Sequence, residues 1–325
     1  MNRRYSLTTL AAAAFLVSAL APAPAQAQLW SWTKDQLTDY TKAWTGERFP
    51  DGRPKVSEAL IERAKGLSME EITINWGAAG ATAAPAGAAG GGGRGGPGGG
   101  GGGSSPYAGD WMVLHPGKKM VGRAFTVQFV PARADLDAVV TAKAREKGIQ
   151  TLNNQYALDQ LQPGDVLVVD LMGRKEGGTL VGDNLFYYVM KATKGGGLVV
   201  DGSIRDLEGI SEMDMPAYFR SAHPSAIGNV MLTGINVPIR IGNVTVMPGD
   251  LVVGDREGIY FIPPQFVQEV MDKADEVHVH DEWTRKKFDE GKYKSSDIYS
   301  SPRDPELRKE YQEYLKKRLE EIRKK

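Results

Sequence analysis

The sequence predicts an α/β fold, and three observations carry the prediction. Short β-branched runs at Val166 to Val169, Leu198 to Val200, Leu251 to Val253 and Ile259 to Ile262 are bounded by Gly, Pro, Asn or Asp, as strands are. The stretch Asn184 to Lys194 has helical spacing and lies between two of these runs. That β-α-β order gives a parallel pair joined by a right-handed crossover. Finally, Pro163-Gly164-Asp165 and Pro248-Gly249-Asp250 each precede an apolar strand, which marks one turn chemistry used twice rather than a duplication.

Taken in order, Arg3 and Arg4, the apolar run Leu10 to Ala21 and Ala25-Gln26-Ala27 follow the charged, apolar and small-residue pattern of a secretory signal over residues 1–27. Cleavage is expected after Ala27, leaving a periplasmic or secreted chain. Ser6 interrupts the stretch that a twin-arginine signal needs, so the Sec route is expected over the Tat route. The run is too short for a stable bilayer-spanning helix, so no membrane association is expected after cleavage.

Residues 28–76 are expected to be a helical segment. Thr33-Lys34-Asp35-Gln36 is a capping box, opening a helix with Leu37, Tyr40 and Trp44 at core spacing that Asp51-Gly52-Arg53-Pro54 ends. A second helix covers Ser57 to Gly66. Residues 77–105 hold fifteen of the 39 glycines and a single arginine, Arg94. Ordering such a stretch loses much chain entropy and buries little, so a disordered loop is expected.

An α/β domain is expected over residues 106–264. Phe125, Val127 and Phe129 alternate as a strand, Asp135 to Gly148 reads as a capped helix, and Val237 to Ile241 and Val244 to Met247 are further strands. Residues 265–325 form a charged helical extension. Within it, Asp304-Pro305 opens a last helix whose stripe of Leu307, Tyr311, Leu315 and Ile322 needs a partner, on its own domain or on another subunit.

Composition excludes several functions. Forty Lys and Arg balance forty Asp and Glu, so the basic excess that phosphate backbones attract is missing and no nucleic-acid partner is expected. With no Cys, there are no disulfides, thiolate nucleophiles or thiolate metal sites, and any metal must be held by oxygen or imidazole. No Gly-x-Gly-x-x-Gly follows a strand and opens a helix, which argues against a dinucleotide or a methyl-donor nucleotide. No Gly-x-Ser-x-Gly elbow is present. His115-Pro116-Gly117 reads as a turn, and His278 and His280 fall on different faces of a helix, so neither suggests a metal pair. His223, before Pro224, is read as structural, with a place beside the site as its alternative.

The chemistry concentrates in Gly177-Gly178-Thr179-Leu180-Val181-Gly182-Asp183-Asn184-Leu185 and Asp201-Gly202-Ser203-Ile204-Arg205-Asp206. Gly182 to Leu185 enters a helix, whose free N–H groups and positive dipole end receive a carboxylate or phosphate. Arg205 and Asp206 follow the next strand, which a β-α-β unit brings beside that helix start. An Arg fork suits a substrate carboxylate, and a neighbouring Asp suits a hard divalent cation that keeps several waters. Together they describe a site for a metal-bound 2-oxo acid.

These two runs, with Pro163-Gly164-Asp165 and the run Gly249-Asp250-Leu251-Val252-Val253-Gly254-Asp255-Arg256-Glu257-Gly258, resemble the RraA-like family over roughly Asp110 to Pro264. That family includes 4-hydroxy-4-methyl-2-oxoglutarate aldolases with oxaloacetate decarboxylase activity and regulators that bind ribonuclease E. Its members are often mislabelled as dimethylmenaquinone methyltransferases. The resemblance implies a swivelling β/β/α-type domain, here with extra N- and C-terminal helices, assembled as trimers or hexamers with active sites near subunit interfaces. It also implies that Gly182, Asp183, Asn184 and Leu185 bind the pyruvoyl group, that Arg205 holds its carboxylate, and that Asp206 contacts Mg2+ or Mn2+.

Two departures qualify this correspondence. The interval from Asp183 to Arg205 is one residue longer than the family's usual one, so Asp183 and Asn184 both stand as candidates for the acid's place. Gly209 stands where many members have another acid, with Glu208 as a candidate replacement. The implied function is a class II-type, metal-dependent aldolase or decarboxylase that releases pyruvate from a small 2-oxo acid, with catalytic Arg205, Asp206 and Asp183. The alternative is a non-catalytic binding or scaffold protein on the same fold; export weakens its ribonuclease-regulator form, since that partner is cytoplasmic.

Overall fold

The computed structural model describes residues 31–72 and 106–324. The expected secretory signal and glycine-rich loop lie outside the described residues. Helix α1 (Lys34–Tyr40) opens with the expected capping box, Thr33 accepting from the Gln36 N–H and Gln36 answering on the Thr33 N–H. It stops well before Asp51. The Arg48 guanidinium donates to the Thr41 and Trp44 carbonyls, at 2.9 and 3.0 Å, which a continuing helix would have used itself. Trp44 therefore lies beyond the helix, and the exposed Tyr40 stacks on Trp32 instead of entering the core. Helix α2 (Glu58–Lys65) runs between a Ser57 N-cap and a Gly66 C-cap, as its sequence signals require.

The α/β region follows in the order β1 (Tyr107–Ala108), β2 (Met112–Leu114), β3 (Met120–Pro131), α3 (Ala134–Glu146), α4 (Asn154–Leu158), β4 (Asp165–Asp170), α5 (Asp183–Thr193), β5 (Leu198–Ile204), α6 (Leu207–Ser211), β6 (Ala217–Ala222), β7 (Val230–Ile235), β8 (Ile239–Ile241), β9 (Val244–Val246), β10 (Leu251–Gly254) and β11 (Ile259–Ile262). The strands β1, β2, β6 and β7 are additional to those expected. Strand β6 reads Ala-Tyr-Phe-Arg-Ser-Ala, with no clear alternation, and is a strand because it completes the free edge of β5. Helix α3 lacks the expected side-chain cap: Arg133 occupies the N-cap, and Asp135, inside the first turn, pairs with it at 2.8 Å.

Among the described residues these strands form a nine-stranded mixed sheet in the order β1-β11-β10-β3-β4-β5-β6-β2, with β7 also on β3 and β8–β9 a separate hairpin. The centre, β3-β4-β5-β6, is parallel, and its outer neighbours are antiparallel. The central strands are buried on both faces, which is why they read as continuous Val and Leu runs. On one face Leu167, Val169, Leu198 and Val200 pack against Phe186 and Val189 of α5. On the other, Val166, Val168 and Val199 meet Ile239, Ile241, Val244 and Val246 of the hairpin.

After Pro264, α7 (Val267–Asp289), α8 (Ser295–Ile298) and α9 (Pro305–Ile322) complete the chain. Helix α7 shares a core with α2 and the β10–β11 edge through Val267, Val270, Ile61, Leu251 and Ile262. The last helix docks on its own chain. Leu307, Tyr311 and Tyr314 gather around Trp283, and Arg318 reaches Glu282, so the inward stripe runs through Tyr314 and Arg318 rather than Leu315 and Ile322. No helix among the described residues is long and apolar enough to cross a membrane.

Candidate active site

Strands β4 and β5 are parallel, with Leu167 opposite Leu198 and Asp170 opposite Asp201. Their carboxyl ends share one edge, so the loop leaving β4 and the residues leaving β5 are forced together. The loop takes hold of β5 as a short added strand. The Leu180 N–H donates to the Ser203 carbonyl, the Ser203 N–H to Gly178 and the Arg205 N–H to Val181, at 3.0, 3.0 and 3.2 Å. Its far side is pinned by the Gly177 N–H on Ser225 Oγ at 2.9 Å and by Asn154 Nδ2 on the Leu180 carbonyl at 2.9 Å.

The predicted residues meet at the start of α5. Gly182 is the N-cap, with extended backbone (φ −105°), so left-handed geometry is not the reason for glycine here. Space is. A β-carbon at position 182 would overlap Asp206 Oδ2 and lie 2.9 Å from Arg205 Nε. The Arg205 and Asp206 side chains therefore lie directly on the bare backbone of Gly182. Asp206 Oδ2 accepts from Arg205 Nε at 3.3 Å and from the Asp183 N–H at 3.4 Å. Both contacts fall on one oxygen of a side chain that is itself exposed. Asp206 itself has φ +61°, a left-handed conformation uncommon outside glycine, and this lets the chain turn from β5 straight into α6.

Asp183 Oδ1 accepts its neighbour's N–H, that of Asn184, at 2.7 Å, so the Asp183 carboxylate bends back over the first turn. Asn184 is exposed, and Leu185 is half-buried against the core beneath α5. Gly209, on α6, faces this group: a β-carbon there would stand 3.5 Å from Asp183 Cβ. Among the described residues the exposed Glu208 makes no hydrogen bond or ion pair with Asp183, Arg205 or Asp206, and its carbonyl accepts the Ser211 hydroxyl. Position 209 rather than 208 therefore addresses Asp183.

His223 supports the loop. Its N–H donates to the Ile204 carbonyl at 3.0 Å, its carbonyl accepts the Thr179 hydroxyl at 3.1 Å, and its Nδ1 accepts the Ser225 N–H at 3.2 Å. A neutral ring in this setting carries its proton on Nε2. Thr179 and Ser203 lie inside the two runs that concentrate the chemistry but carry no role legible there, and Ser225 and Asn154 lie outside them. Ser and Thr beside glycines signal local turns, and only the parallel pairing reveals which loop they hold.

The arrangement offers an Arg fork and the positive end of a helix for a carboxylate, beside two oxygen donors, Asp206 and Asp183. Arg205 and Asp206 side chains are 38% and 44% exposed, leaving room for water. Such donors fit a hard divalent ion of the Mg2+ kind, which takes one or two carboxylates and fills its remaining positions with water and substrate. Among the described residues no three acidic or histidine groups cluster, so these two donors alone would fill only part of such an ion's shell. Cavities lie elsewhere, one of about 340 Å3 between α3 and the Gln150–Asn154 loop and another of about 670 Å3 between α7 and residues 66–71.

Comparison with known proteins follows the same lines. The family model described as "RraA-like: Aldolase/RraA" matches residues 101–261. A protein from Halalkalibacterium halodurans named "Putative 4-hydroxy-4-methyl-2-oxoglutarate aldolase" is 37% identical over 127 residues, 39% of this chain and 59% of that protein. One from Azotobacter vinelandii with the same name is 35% identical over 130 residues, 38% of this chain and 74% of that protein. The chain thus spans less than two thirds of the first of these relatives. The crystal structure of Streptomyces coelicolor RraAS2, titled an unusual member of the RNase ES inhibitor RraA protein family, superposes with a TM-score of 0.54 at 26% identity, covering 72% of this chain and all of that one. A structure from Pseudomonas syringae pv. tomato shares the fold with a TM-score of 0.56 at 22% identity, over 76% of this chain and 96% of that one. With its mixed sheet, its glycine-clasped Arg-Asp pair and these matches, the chain belongs to the RraA-like family.

Proposed function

We propose that this protein is a divalent-metal-dependent lyase that cleaves the C3–C4 bond of a small 2-oxo acid to give pyruvate. The observation that carries the reading is the seating of Arg205 and Asp206 on Gly182 at the start of α5. A bound Mg2+ or Mn2+ supplies Lewis acidity at the 2-oxo group, the electron sink that this cleavage needs. Asp206, with Asp183 beside it, would hold the ion. The Arg205 fork receives the substrate carboxylate in paired, charge-assisted hydrogen bonds. The helix start adds its positive end to the same charge. Asp183, whose Oδ2 is not engaged by Asn184, would move the proton that the reaction transfers. Retro-aldol cleavage and decarboxylation make the same demands on these residues.

The Arg205 and Asp206 side chains are exposed, and we propose that a second copy covers them in a trimer or hexamer. Export to the periplasm or beyond, through the signal at residues 1–27, belongs to the same reading. The deciding measurement is pyruvate release from 4-hydroxy-4-methyl-2-oxoglutarate and from oxaloacetate, against a metal-only control. Release should stop with chelator, return with Mg2+ or Mn2+, and be lost in Arg205→Ala. Turnover indifferent to chelator and to Arg205→Ala overturns the reading. The open, partial donor set favours a second reading, a non-catalytic binding protein, which predicts a partner retained by Arg205→Ala/Asp206→Ala and no pyruvate from either substrate.

A further inference from the structure

The two Pro-Gly-Asp turns share their backbone geometry. Gly164 and Gly249 have φ +82° and +89°, the Asp165 and Asp250 N–H groups donate three residues back to Gln162 and Met247, and each carboxylate accepts the N–H of that same residue, at 2.9 and 2.8 Å. Both turns clasp β3 from opposite sides, Gly164 through the Arg123 N–H and Asp250 through the Ala124 N–H. They differ in charge. Asp165 is filled by the buried Arg53 guanidinium, Nη1 to Oδ1 at 2.8 Å and Nη2 to Oδ2 at 3.3 Å. Asp250, 3% exposed, has no cation among the described residues and only the Met247 bond on Oδ2.

Asp250 instead borders a cavity of about 260 Å3, lined mainly by apolar groups such as Val244, Phe261 and Pro263 with the exposed Ala43, and by the polar Thr245 and Gln265. A buried carboxyl without a counter-charge is costly, and the first turn shows what satisfies this geometry. We propose that the cavity over Asp250 is a binding site for a small organic monocation, an ammonium or guanidinium on a short apolar body. The volume corresponds to roughly nine waters at about 30 Å3 each, and the apolar walls suit alkyl carbon rather than a hydrated metal ion. Burial, opposed by the Met247 N–H, pushes the Asp250 carboxyl up to about 7. Among the described residues Tyr40 is the only other titratable group lining the cavity, so a cation would meet no competing charge.

Calorimetric titration of the full chain with butylguanidinium and butylammonium tests this, with butylurea as the neutral isostere. Saturable binding of at least one cation is expected, tighter at pH 8 than at pH 6, with proton release near pH 7 and at least tenfold weaker binding of butylurea. Asp250→Asn, which keeps an acceptor for Met247, should lose the cation preference. Ala43→Trp, at the exposed mouth, should block binding with the carboxyl intact. Cation binding unchanged in both variants, butylurea binding equal to butylguanidinium, or no binding of either cation overturns the proposal. Neither readout depends on the lyase activity.

Discussion

Replacing Gly182 by alanine isolates the role of the bare backbone under the Arg-Asp pair. The extended φ of −105° is open to alanine, so no backbone strain is introduced. The loss in helix capping is about 1 kcal/mol, since glycine is a better N-cap than alanine. That lowers the melting temperature by about 2–4 °C for a chain of this size. The effect on the site is larger. The new methyl would overlap Asp206 Oδ2 and stand 2.9 Å from Arg205 Nε. Carbon contacts relax at about 3.5–4.0 Å, so both side chains must shift by about 1 Å. Misplacement on that scale costs on the order of 100-fold in turnover. Pyruvate release coupled to NADH oxidation, with a thermal melt on the same preparation, checks both numbers. If the Gly182→Ala variant turns over within twofold of the parent while Arg205→Ala abolishes activity, the seating of the pair on Gly182 is not what positions it.

Other outcomes follow from the same structure. Arg53→Ala leaves the buried Asp165 carboxylate without its cation and should cost about 3–5 kcal/mol in denaturant unfolding. Arg53→Met with Asp165→Asn should recover much of that loss, and failure to recover would assign the cost to packing of Arg53 on Phe49 and Phe125. The folded chain holds a proton on Asp250 up to about pH 7, whereas the unfolded chain releases it near its ordinary value of 3.8. The folded state binds more protons in that window, so this residue's contribution to stability is full below about pH 4 and declines as pH rises through about 7, by about 1.4 kcal/mol per unit. Melts from pH 4 to 8 should show that decline relative to Asp250→Asn, and parallel curves would contradict it. Gel filtration with light scattering should return a trimer or hexamer; a monomer would remove the closing surface proposed for the site.

Much of this fold is legible in local patterning because its signals are short-range. Thr33 to Gln36 caps α1, Ser57 and Gly66 bound α2, and Asp304-Pro305 opens α9, since each cap is a bond between residues three or four apart. The extent of α1 is not local, because Arg48 takes the carbonyls that would have prolonged it. Strands β6 and β7 carry weak alternation and exist through their partners, β5 and β3. The convergence of the glycine loop with Arg205 and Asp206 is legible because a parallel β-α-β unit leaves its carboxyl ends on one edge. The clamp of Thr179, Ser203, Ser225 and His223 is not, since those bonds join residues 24 to 48 positions apart.

The order of residues alone determined the alternation of strands and helices, the two Pro-Gly-Asp turns, and which side chains gather at the start of α5, because periodicity, capping and chain direction are properties of neighbours. Tertiary structure decided why position 182 is glycine, that position 209 rather than 208 looks at Asp183, and that one aspartate of two matching turns is neutralised while the other has no cation among the described residues. Those outcomes depend on which distant surface arrives against each residue, and Arg53 reaches Asp165 across a separation of 112 positions. Local sequence sets the shape of a turn; its charge balance is set by what packs against it.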